Sequence, residues 1–146
     1  MVMKRYITDE EIDLTEIIKR KYIISSQHRK IGNPNKSIWK ISFRAEVKCF
    51  IWTISENWIN QTEAWGVKID KTNTLEIVGL NDNGERLKIA KFVDGNGNDV
   101  WHGYPADYMN KTQDRPTTTI LKVWVDNGYI SKSKMSKIRR GQPCNL

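Results

Sequence analysis

Residues 38–54 carry the strictest pattern in the chain. Trp39, Ile41, Phe43, Ala45, Val47 and Cys49 alternate with Lys40, Ser42, Arg44, Glu46 and Lys48. A period of two sends the first set to a core face and the second to solvent, so the pattern predicts a long half-buried strand. The alternation fails at Phe50-Ile51-Trp52, where a bulge or a cover on both faces is expected. Lys40, Arg44 and Lys48 could follow a phosphate backbone, but Glu46 in the same row favours an ordinary solvated face. Shorter strands are expected over 65–70, 74–80 and 86–93. The turns between them hold Asp70-Lys71-Thr72-Asn73 and Asn81-Asp82-Asn83-Gly84, residue types that accept turn geometry. Connections this short join antiparallel neighbours. The middle of the chain therefore reads as a four-stranded antiparallel meander.

Helices are expected on either side. Thr8-Asp9-Glu10-Glu11 has the form of a capping box, and Leu14, Ile17, Ile18 and Tyr22 recur at helical spacing, predicting a helix over 9–23. Residues 25–37 are a loop by composition, with His28 as a surface histidine. Beyond Pro116, the residues Ile120, Leu121, Trp124 and Val125 form a helical stripe that Gly128 stops. Ser131 caps a last helix that ends at Gly141. The fold class expected is α+β: one domain of 146 residues in which an N-terminal helix and a basic helical hairpin over 116–141 pack on the meander. The order of helix, meander, Tyr104-Pro105 turn and helices is similar to that of the ubiquitin-conjugating and RWD-type fold. No diagnostic motif accompanies the likeness. It implies a reactive cysteine soon after the meander, and the only downstream cysteine is Cys144, so it points to a non-catalytic, protein-binding member.

Charge narrows the function. The net charge is +7, and residues 111–146 hold eight Lys/Arg against two Asp/Glu. A one-ended excess of this kind suits a polyanion-facing surface. Lys132, Lys134, Lys137, Arg139 and Arg140 of the last helix are the expected nucleic-acid contacts. The helix pair has the length of a helix-turn-helix, but lysines at the start of a second helix supply phosphate attraction more than base reading. The partner is thus expected to be nucleic acid or an acidic protein. Nothing at the N-terminus resembles a leader, and no run approaches the ~18 apolar residues of a membrane span. Two cysteines far apart suit a reducing cytoplasmic setting.

Asp94–Pro105 is the expected junction between sheet and basic helices, within a connector over 94–115. Its Asp94, Asn96 and Asn98 alternate as in a calcium loop, but Asp99 and Pro105 stand where that loop needs Gly and Glu. His102, with Tyr104 and Asp107 in support, is a candidate general acid/base, and on a basic protein that chemistry would be cleavage of RNA. A structural histidine in a tight turn accounts for the same letters. Trp101 and Tyr104 are candidate anchors for a protein partner, as in an inhibitor or adaptor. The two His and two Cys match no metal-ligand spacing, and no cofactor motif is present.

Overall fold

The computed structural model describes residues 5–31 and 33–146. Met1–Lys4, part of the segment read for a leader, and Gly32 of the 25–37 loop lie outside these. The fold is mixed α+β, but its layout departs from the expected meander at three places.

The first is the expected helix over 9–23. This segment is instead strand β1 (Glu11–Asp13), one short helical turn α1 (Thr15–Ile18) and strand β2 (Lys21–Ile23). The strands pair antiparallel, with Ile12 opposite Tyr22. Asp9 and Lys19 both adopt positive φ, which a continuing helix forbids. Ile12, Leu14, Ile18, Tyr22 and Ile24 are buried, whereas Ile17 of the expected stripe is 66% exposed. Asp13 organises α1, its carboxylate accepting from the Thr15 amide at 2.9 Å and the Thr15 hydroxyl at 2.5 Å.

The second departure is the expected long strand. Only β3 (Ile38–Trp39) is extended, and Phe43–Ser55 form helix α2. Ser42 caps α2 by accepting from the Ala45 amide at 3.1 Å. The buried positions are Glu46, Val47, Cys49, Phe50 and Thr53. That spacing is helical, and a carboxylate sits in the middle of the buried face.

The third is the expected junction. Residues 94–99 are a hairpin tip between β8 (Ile89–Val93) and β9 (Val100–Ala106). Asp94 staples the tip, accepting from the Asn98 and Asp99 amides at 3.2 and 2.8 Å. Trp101-His102-Gly103-Tyr104-Pro105 is therefore the middle of the longest strand, with Tyr104 opposite Lys91.

The remaining strands are β4 (Ile59–Asn60), β5 (Glu63–Gly66), β6 (Gly79–Leu80) and β7 (Arg86–Leu87). The main sheet runs β1-β2-β9-β8-β5-β4, antiparallel except for β2 beside β9. A small sheet β3-β6-β7 adjoins it, and the Trp39 indole donates to the Gly103 carbonyl at 3.2 Å. The similarity to the ubiquitin-conjugating order ends here, since a helix stands where its first long strand was expected.

Helices α3 (Thr118–Asp126) and α4 (Lys132–Arg140) follow, capped by the hydroxyls of Thr117 and Ser131. The core has two parts. In the first, Phe50 of α2 meets Tyr22, Phe92 and Trp101 of the sheet. In the second, Leu121, Trp124 and Ile138 of the C-terminal helices pack with Trp58 and Trp65. Among the described residues no helix is long and apolar enough to cross a membrane.

Candidate functional site

Helix α4 holds all five of the expected nucleic-acid contacts. Ser131 accepts from the Lys134 amide at 3.1 Å, and Gly141 closes the helix in the left-handed conformation. Ile138 is fully buried and Met135 packs beside it, so this one side attaches α4 to the second core. Lys132, Lys137, Arg139 and Arg140 are exposed and Lys134 is half-buried. Among the described residues none of the five makes an ion pair. The helix contains no acid. Its first turn carries Lys132 and Lys134, where the amide ends of the helix already favour negative charge. An anion brought to this turn would therefore meet helix and side-chain charge of the same sign.

The support of α4 is specific. The Arg115 guanidinium lies against Gly141, where a Cβ would come within 2.1 Å of it, and donates to the Tyr108 carbonyl at 2.9 Å. The Tyr108 hydroxyl donates to the Gln142 carbonyl at 2.9 Å. Across α3, Trp124 packs edge-on against Trp58 at 5.7 Å. These supports come from the segments after β9 and before β4, not from a third helix.

Strand β9 disperses the other candidates. Trp101 is 1% exposed on the face that packs against Phe50, so it is a core residue with nothing to present to a partner. Tyr104 is half-buried and donates to Asp114 at 3.0 Å. Burial first, and the neighbouring Asp114 carboxylate second, push its phenol well above the usual range, so it keeps its proton. Asp107 is buried, and its oxygens accept from the side-chain amides of Asn81 and Asn110. Among the described residues no hydrogen bond ties it to His102. The three residues do not form the expected acid/base set.

A different set surrounds Tyr104. His28, expected at the surface, is 8% exposed and stacks on the Tyr104 ring at 5.0 Å. Its Nδ1 donates to the Ser37 carbonyl at 2.9 Å, which leaves Nε2 as the acceptor. Burial pushes His28 down to about 4, and His102 lies near enough to add to that shift. His102 is itself lowered, by burial and then by Lys36. Both rings are neutral at pH 7. No local signal marks His28, because its partner is 76 residues away in the sequence. Across the strand pair Lys91 is 2% exposed, pairs with Glu63 at 2.7 Å, donates to the Gln113 carbonyl and lies over Trp65.

Among the described residues no group of three or more His, Cys, Asp or Glu could hold a metal ion. Cys49 and Cys144 are free thiols, and burial pushes Cys49 up to about 12, far from a thiolate nucleophile. No protein-family model, curated protein or solved structure matches the chain.

Proposed function

We propose that this chain is a cytoplasmic polyanion-binding protein, with nucleic acid as its partner and α4 as its contact surface. One observation carries the reading: α4 presents four exposed cations and a fifth half-exposed one, with no acid in the helix and, among the described residues, no ion pair to occupy them. Such a surface recognises phosphates and their spacing rather than base edges. Free cysteines suit a reducing compartment.

The test is a salt titration against single- and double-stranded oligonucleotides. Each phosphate contact contributes about −0.9 to the slope of log K against log salt on a duplex and about −0.7 on a single strand. Replacing Lys132, Lys137, Arg139 and Arg140 together with Gln should flatten that slope and remove most of the affinity. An unchanged slope, or no binding at low salt, overturns the reading. Binding confined to an acidic polypeptide would replace nucleic acid with a protein partner.

A second reading, cleavage of RNA, draws on the neutral His28–His102 pair beside Tyr104. Neutral imidazoles can accept a proton from a ribose hydroxyl. If the chain degrades RNA, His102→Ala abolishes the activity; full activity in that variant removes the reading.

A further inference from the structure

The side of α2 from Arg44 to Trp52 and the segment Val67–Ile69 flank an open groove of about 480 Å³ that belongs to neither α4 nor the His28–Tyr104 stack. Its volume lies in the roughly 300–1,000 Å³ range of small-molecule sites. The cause of the groove is visible in the packing. At Gly66 the helix and strand are in contact, since a Cβ there would come within 1.9 Å of the Thr53 hydroxyl. Beyond Gly66 the chain leaves the sheet and turns back on itself through the Ile69–Leu75 bridge, and a space remains beside α2.

The lining divides by chemistry. Ala45, Trp52 and Ile69, all half-buried, supply apolar surface, with the buried Cys49 and Val67 behind them. Trp52 is fixed from behind, edge-on to Trp58 at 4.8 Å and to Tyr129 at 6.0 Å. The charged residues of the lining are Arg44, Lys48 and Lys68, with no acid among them. Lys68 is held by Glu76 at 2.5 Å. Arg44 and Lys48 are exposed, one helical turn apart, and neither makes an ion pair among the described residues. Like charges at this spacing destabilise a helix. An anion between them would relieve that repulsion, and an apolar body attached to it would fill the groove.

We infer that this groove is a binding site for a small anionic amphiphile, its carboxylate or phosphate head between Arg44 and Lys48 and its apolar body against Ala45, Trp52 and Ile69. The inference is independent of polyanion binding by α4. Calorimetric titration of the full chain with dodecanoate, dodecanol and dodecyltrimethylammonium, all as monomers, tests it. One-to-one binding of dodecanoate is expected, at least tenfold tighter than either of the other two. The double variant Arg44→Gln/Lys48→Gln, altered only at exposed positions, should lose that tenfold preference. Ala45→Leu, which narrows the groove without changing its charge, should weaken dodecanoate while leaving oligonucleotide binding intact. Dodecyl phosphate in place of dodecanoate distinguishes a phosphate head from a carboxylate. Absence of dodecanoate binding, equal binding of the three probes, or a double variant that behaves like the parent overturns the proposal.

Discussion

Glu46 shows how one residue can define a fold and conceal it. It is 0% exposed, at the centre of the buried face of α2. Tyr22 donates to one carboxylate oxygen at 2.5 Å and Arg29 to the other at 2.6 Å. Arg29 also donates to the Ile41 carbonyl and lies over the Phe43 ring. The triad therefore joins β2, the loop before β3 and α2 at one point. Burial outweighs both partners and pushes Glu46 up to about 6. A carboxyl with a raised folded pKa contributes its full stability below the unfolded value, near 4.5, and loses it as pH rises through the folded value. Arg29→Ala removes the compensating charge and leaves a buried carboxylate unpaired. Breaking a buried pair in this way costs about 3–5 kcal/mol. Urea unfolding at pH 7 should show a loss of that size, shrinking at pH 5 as Glu46 takes up a proton. A loss equal at the two pH values would mean that the guanidinium acts through packing alone.

At the scale of elements, the C-terminal helices were legible and the N-terminal half was not. Gly128, Ser131 and Gly141 act locally, and each sits at the helix end it marks. Over 38–54, local and tertiary preferences disagree. Alternation of apolar and polar letters suits a strand, yet the buried set is Glu46, Val47, Cys49, Phe50 and Thr53. A charged residue in the core breaks the helical period, and its stabilising partners Tyr22 and Arg29 are distant in sequence. The Ser42 cap and the failure at Phe50-Ile51-Trp52 were the signals that favoured a helix. His28 and Asp114 escaped notice for the same reason, since only the fold brings them to Tyr104. The basic charge of α4, by contrast, was legible because it belongs to one local element. Lys132 in the first turn opposes the helix dipole, an arrangement worth about 0.3–1 kcal/mol when reversed. Lys132→Glu should therefore raise the urea midpoint slightly while weakening oligonucleotide binding. A variant that loses stability, or binds as tightly as the parent, would show that Lys132 serves the fold rather than a ligand.

The whole molecule depends on the β8–β9 hairpin. Phe92 and Trp101 lie in the core under α2, whereas Ile89 and Ala106, on the same two strands, lie in the core under α3 and α4. Each strand crosses from one cluster to the other within a few residues, so neither cluster can come apart without breaking a ladder that holds the other. The contact helix α4 is attached to the second cluster through Ile138, and the groove beside α2 straddles the two, with Cys49 in the first and Trp52, Val67 and Ile69 in the second. Two clusters that share central strands should unfold as one cooperative unit. Leu121, 0% exposed, is a point at which to test this. Leu121→Ala removes buried volume from the second cluster only, and a change of this type costs about 2–5 kcal/mol. Hydrogen exchange should then accelerate by the same factor in α2 as in α3, although α2 lies on the other cluster. Acceleration confined to α3 and α4 would instead divide the molecule into two units.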